Sequence, residues 1–193
     1  MEYSINSFWR TRFAAIRAQG SPVALPGWSA APGHSSAFVE AALSLRAEFN
    51  DLSQSVWLIA APGAVGKSTL AKEICAATNA VYLDLATATT VAGNYLVGGL
   101  VTAGLWNAWQ AGESTLFVDA LDEARLRVTQ RSFEDFLADV ATVAGKRDVP
   151  IVLLGRIGIV EEAWSILNDK SGFSAPIFDI ELFQPELAKT FVL

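Results

Sequence analysis

The sequence predicts an α/β domain of three layers, with a mostly parallel five-stranded sheet between helices. Three observations carry that expectation. From residue 56 onward, short apolar runs alternate with helical stretches; the runs are continuously apolar; and the first passes through a glycine-rich turn into a helix. Strands of this kind are buried on both faces, and in a parallel sheet helical crossovers supply the cover.

In chain order, Ser4 to Gln19 is expected to form a short helix with Phe8, Trp9, Arg12, Phe13 and Ile16 on one face. Gly20 to Ser35, with Pro22, Pro26 and Pro32, has the punctuation of an irregular linker. A second helix is expected over Ser36 to Asn50, with Phe38, Ala42, Leu45 and Phe49 on one side. Five strand candidates follow: Val56–Ala60, Val81–Leu85, Leu116–Asp119, Ile151–Gly155 and Ile177–Leu182. Helices are expected at Lys67–Ala77, Val128–Ala144 and Gly158–Asp169. This divides the chain into a helical flank with a Pro/Gly linker (1–50), an α/β core (51–184) and the start of a further helical subdomain (185–193).

Composition narrows the function classes. With 193 residues, 52% hydrophobic and 18% charged, the chain can bury a sizeable core and is far from disordered. A net charge of −6 argues against a broad nucleic-acid face, which would need clustered Lys and Arg. Cys75 is the single cysteine, so no internal disulfide can form, and a reducing, cytoplasmic location is the natural reading. His34 is the only histidine, so histidine metal clusters and a Ser/His/Asp triad lack most of their parts, and His34 reads as a loop residue in Pro32-Gly33-His34-Ser35. Leu85 to Gly112 carries no charge, yet it is rich in Thr, Gly, Asn and Ala. Its large residues Val97, Val101, Leu105 and Trp109 recur at helical spacing, so one buried face of a soluble helix is expected there, with no membrane span.

The chemistry is concentrated in two segments. Ala61-Pro62-Gly63-Ala64-Val65-Gly66-Lys67-Ser68-Thr69 follows the first strand and opens a helix. Glycines let backbone N–H groups converge on phosphates, and the helix N-terminus adds its positive end. Lys67 supplies a mobile charge for the β- and γ-phosphates, and the Ser68 hydroxyl can ligate Mg²⁺. The motif's usual first glycine is Ala61 here. Val65 occupies a place where small residues are common, so its side chain must point away from the phosphates. The segment is a P-loop, and the fold expected around it is a P-loop NTPase core.

The second segment is Thr115-Leu116-Phe117-Val118-Asp119-Ala120-Leu121-Asp122-Glu123, an apolar strand ending in carboxylates. Asp119 is the candidate to hold Mg²⁺ beside Ser68, and either Asp122 or Glu123 could sit near the γ-phosphate.

The spacing Asp-Ala-Leu-Asp-Glu resembles the STAND class of signal-transduction NTPases, and within it the NACHT-like pattern. In that pattern the Mg²⁺ aspartate is followed by a small residue, an apolar residue and Asp-Glu. The resemblance implies that Asp122 or Glu123 polarises the attacking water. It also likens Pro150 to Arg156 to a sensor strand whose arginine, here Arg156, reports on the γ-phosphate; family members usually carry Ser or Thr where Gly155 stands. Ile180 to Ala188 resembles the fifth strand running into a helical subdomain. The resemblance spans about Val56 to Leu187, and only the two Walker motifs in it are specific. It implies an ATPase of slow turnover whose nucleotide state switches conformation or oligomeric state. Bacterial members serve in signalling or anti-phage defence, with self-association and with sensor and effector domains outside a chain of this kind. The sequence offers no base-reading residue, so ATP over GTP rests on the resemblance alone.

Three other readings share these motifs. A ring-forming AAA+ ATPase usually carries its acidic pair directly after the strand, unlike the Asp119–Asp122 spacing. A small-molecule P-loop kinase needs lid arginines that the uncharged stretch Leu85–Gly112 does not supply. A nucleotide-binding scaffold would use the ligand for folding alone. Arg125, Arg127, Arg131, Glu134 and Asp135 are expected on a solvated helix face.

Overall fold

The computed structural model describes residues 2–13, 25–30, 38–88, 91–112, 115–145 and 149–181. A seven-stranded sheet runs through the molecule, in the order β1 (Trp28–Ala30), β4 (Val81–Asp84), β5 (Leu116–Asp119), β6 (Ile151–Arg156), β3 (Val56–Ala61), β7 (Ile177–Ile180), β2 (Leu43–Leu45). The five central strands are parallel, and β1 and β2 close the two edges antiparallel to β4 and β7. The expected five-stranded sheet is therefore corrected to a mixed seven-stranded one. Both added strands come from the first 50 residues.

Strand β3 shows why the central strands were readable. All six of its residues are buried. Side chains alternate across the pleat, so Val56, Leu58 and Ala60 enter one apolar layer while Trp57, Ile59 and Ala61 enter the other. Helices α3 (Tyr95–Thr102), α4 (Trp106–Gln110), α5 (Leu121–Arg127), α6 (Gln130–Ala144) and α7 (Ile157–Ser171) cover the first face. Helix α2 (Lys67–Thr78) covers the second, together with a π-helical turn at Ile5–Trp9 and the short α1 (Arg10–Phe13). This is a three-layer α/β arrangement. Helix α6 buries Phe133, Phe136, Leu137, Val140 and Ala144, the i, i+3, i+4 stripe of an amphipathic helix.

The N-terminal turn is part of this core. Trp9 is fully buried, with ring centroids 5.8 Å from Trp57, 5.6 Å from Phe117 and 5.9 Å from Phe178. Ser4 caps the turn by accepting from the Ser7 N–H. The remainder of the expected Ser4–Gln19 helix, most of the linker including His34, and everything from Leu182 onward lie outside the described residues.

Two helix expectations are corrected. Within the expected Ser36–Asn50 helix, the described residues 38–50 contain strand β2, with Leu43 opposite Ile180 and Leu45 opposite Phe178. Arg46 then fixes this edge: Nε lies 2.7 Å from Asp179 Oδ2, Nη2 lies 2.8 Å from Oδ1, and Nη1 lies 2.9 Å from Glu161 Oε1 on α7. The fork on Asp179 holds the guanidinium's pKa above its ordinary value. In the uncharged stretch, Gly104 at φ +73° separates α3 from α4, so the single expected face breaks and Val101 is exposed. No helix among the described residues is long and apolar enough to cross a membrane.

Candidate functional site

The loop between β3 and α2 turns twice through left-handed backbone, at Ala64 (φ +61°) and Gly66 (φ +79°). Nothing lies within 4 Å of where a Gly66 Cβ would stand, so it is the backbone angle and not crowding that favours glycine here. Gly66 is the N-cap of α2, and Lys67, Ser68 and Thr69 form its first turn. Val65 packs into the apolar layer under α2, as its place in the loop requires. Pro62, Gly63, Ala64, Ser68 and Thr69 are exposed, while Ala61 ends the buried strand.

Strand β6 separates β3 from β5, so the phosphate loop and the acidic strand are not neighbours. The ends of β6 and α5 fill that interval. Ala120 adopts a left-handed conformation (φ +63°) and starts α5 without a side-chain cap. This tight reversal turns Asp122 inward. Its Oδ1 lies 3.7 Å from Lys67 Nζ and its Oδ2 lies 3.1 Å from Arg156 Nε. Oδ1 also accepts the Arg156 N–H at 3.2 Å. Asp122 is buried, whereas Arg156 is largely exposed. The Arg156 guanidinium carbon stands 3.9 Å from where a Gly63 Cβ would lie, so it sits over the phosphate loop. Glu123, the next residue, is exposed. Of the two carboxylates left open by the sequence, Asp122 is the one brought to Lys67 and Arg156.

Gly155 permits this packing. A Cβ there would meet Leu121 Cβ at 3.2 Å and stand 3.7 Å from Asp122 Oδ1. The first turn of α5 therefore rests on bare backbone where the resembled family carries a hydroxyl side chain.

Asp119 ends β5 and is buried. Its Oδ1 accepts the Ala120 N–H at 2.7 Å, and its Oδ2 accepts the Tyr82 O–H at 2.8 Å. Burial, reinforced by the Asp119 charge, pushes the Tyr82 phenol far above its ordinary pKa, so it remains the donor. Burial and the same charge also push the Cys75 thiol up, which marks Cys75 as an inert core residue. On α2, Ser68, Lys72 and Cys75 share a face by their i, i+4, i+7 spacing. Lys72 Nζ stands 5.3 Å from the ring centroid of Tyr82, whose O–H reaches Asp119, and Cys75 is buried in the same apolar layer as Tyr82 and Phe117. Asp119 thus lies beneath the helix face that Ser68 heads.

A hydroxyl and a carboxylate with lone pairs to spare are hard oxygen donors of the kind Mg²⁺ takes, alongside water and phosphate oxygens. Among the described residues no group of three or more His, Cys, Asp or Glu could hold a metal alone.

Sequence reasoning missed Tyr82 and Arg127. Tyr82 reads as core in an apolar strand; its register opposite Phe117, two residues before Asp119 on the same face, is the signal that identifies it. Arg127 donates to the carbonyls of Leu85, Ala86, Ala88 and Glu123, tying the loop after β4 to α5. Arg125 pairs with Glu162 at 3.0 Å, and Lys170 pairs with Glu134. The expected solvated face is, for Arg125, Arg127 and Glu134, a set of tertiary ties.

No family model matches this chain, and no curated protein matches it. A solved structure described as the structural basis for katanin self-assembly is similar over 57% of this chain and 36% of that one, at 20% identity and a TM-score of 0.34. A likeness this distant does not bear on what the site does.

Proposed function

We propose that this chain is the ATP- and Mg²⁺-binding core of a STAND-type, NACHT-like switch ATPase. The observation that carries the reading is the Asp122 carboxylate, shared between Lys67 of the phosphate loop and Arg156 at the end of β6. A carboxylate in that place is a counter-charge for Lys67 and Arg156, and it stands beside the phosphate loop, where a general base would act.

On this reading a nucleotide phosphate draws Lys67 from Asp122, since a more highly charged oxyanion competes for the same ammonium. Ser68 and Asp119 would hold Mg²⁺, which withdraws charge from the phosphate oxygens. Asp122, released from Lys67, keeps its bond to the Arg156 N–H and has a lone pair free to orient and deprotonate a water. Arg156 lies over Gly63, where a third phosphate reaches the guanidinium and a diphosphate leaves it on Asp122. Arg156 is also the N-cap of α7. Nucleotide state is thereby transmitted to the β6–α7 junction, and a difference in contacts between ATP and ADP is what biases a two-state element. Self-association, and sensor or effector domains, are the outputs such a bias would serve.

Titration of ATP against the parent and Lys67→Ala tests this reading. Loss of one charge-assisted phosphate contact should weaken binding by about 10- to 100-fold. Equal affinity of the two proteins would remove it. Slow ADP release that is independent of added phosphate acceptors agrees with a switch; phosphorylation of an acceptor would make the protein a kinase.

A further inference from the structure

We propose that Tyr82 is a positioning residue for the cation-holding carboxylate, fixing the rotamer of Asp119 on the face of the sheet that α2 covers. This rests on the reading of Asp119 and Ser68 as Mg²⁺ ligands and adds a residue that neither Walker motif contains.

The argument is geometric. Residues paired across parallel strands share a face, and Tyr82 pairs with Phe117 while Asp84 pairs with Asp119. Tyr82 is therefore the diagonal neighbour of Asp119, on the face covered by α2. The phenol spans that diagonal to reach Oδ2 at 2.8 Å, within a site where both residues are almost fully buried. The Ala120 N–H holds Oδ1 at 2.7 Å. One oxygen is thus held from its own turn and the other from the adjacent strand, so the carboxylate plane has little freedom to rotate. Each oxygen retains a lone pair, and α2 passes above with Ser68 at its first turn. Partners of this sort orient metal ligands, and their removal commonly weakens metal binding 10- to 100-fold.

Among the described residues, Tyr82 is the side-chain donor that the structure places on Asp119 Oδ2. Cys75 is a buried thiol, Asp84 accepts from the Ala86 N–H, and Lys72 stands over the Tyr82 ring. Without the phenolic O–H, Oδ2 loses its donor while the ring volume can be kept.

The experiment compares the parent, Tyr82→Phe and Asp119→Asn, each as the full chain. Mn²⁺ replaces Mg²⁺ as a paramagnetic probe and is titrated in the presence of saturating ADP. The affinity of ADP in EDTA is measured in parallel. Tyr82→Phe should bind Mn²⁺ about tenfold more weakly than the parent while its metal-free ADP affinity stays within twofold. A variant that merely loosens the fold would lose both affinities together, and that result overturns the proposal. Loss of Mn²⁺ by Asp119→Asn with full retention by Tyr82→Phe overturns the role of Tyr82 alone. Equal Mn²⁺ binding by all three proteins overturns the metal assignment and this proposal with it.

Discussion

Asp122 and Arg156 are joined twice, through the guanidinium Nε at 3.1 Å and through the backbone N–H at 3.2 Å. The second contact does not depend on the arginine side chain, so the carboxylate stays in place when the guanidinium leaves. Asp122→Asn should therefore keep ATP affinity within a few-fold and lower turnover by about 10²–10⁴, the range for a lost general base. Glu123→Gln, altering an exposed side chain, should turn over at the parent rate. Single-turnover measurements check both, and the reverse pattern would exchange the roles of the two carboxylates.

The side-chain contact makes a separate prediction. Arg156→Ala should weaken ATP by about tenfold, the lower end for a charge-assisted contact, and leave ADP affinity nearly unchanged. The quantity to measure is the ratio of the two dissociation constants. A parallel loss for both nucleotides would show that Arg156 does not distinguish them.

Ala120 lies at φ +63°, a region costly for residues with a Cβ and worst for branched ones. Ala120→Gly should match or exceed the parent in stability. Ala120→Val should lie about 1–3 kcal/mol below the glycine variant. Urea unfolding of the three proteins gives the order, and a valine variant as stable as glycine would contradict the strained turn.

Asp139 on α6 accepts the Leu96 N–H at the start of α3, at 2.9 Å. Burial pushes its carboxyl above the ordinary range, with the Leu96 bond opposing the shift. A raised folded-state pKa means the folded protein holds this proton more tightly than the unfolded chain. The group's contribution is thus fully present below its unfolded pKa of about 3.9 and is lost as pH rises through the folded value. Relative to the parent, Asp139→Asn should be more favourable at pH 7 than at pH 4, because amide and protonated acid then carry the same charge. Urea midpoints at the two pH values check the sign. Asp139→Ala, which leaves a buried N–H without its partner, should cost about 1–3 kcal/mol at both.

Much of this architecture is legible in the residues. Val56–Ala61 and Ile151–Leu154 are apolar throughout because both faces are buried, and the P-loop is announced by glycines at fixed places beside Lys67. What stays hidden is set by tertiary partners. Leu43–Leu45 sits within a helix-like spacing of Phe38, Ala42, Leu45 and Phe49, and only pairing with β7 makes it a strand. Arg125 and Arg127 read as helical, yet the start of α5 at Leu121 stays hidden because it follows a left-handed alanine and not a capping residue. The choice between Asp122 and Glu123 is a matter of helical phase, which that same alanine sets. Tyr82 carries no motif; it matters through the register of β4 on β5.

The two antiparallel edges also dictate an order of events in time. Strand β1 pairs with β4, Trp28 lying opposite Leu83, but β2 needs the more distant β7, and Arg46 and Asp179 are 133 residues apart. During synthesis, Leu43–Leu45 emerges long before the strand that accepts it, so closing this margin of the sheet is a late step. Until then β7 would present an open row of backbone donors and acceptors to any copy of β2, its own or a neighbouring molecule's, and exchange of that short strand between chains is the characteristic misfolding hazard of this topology.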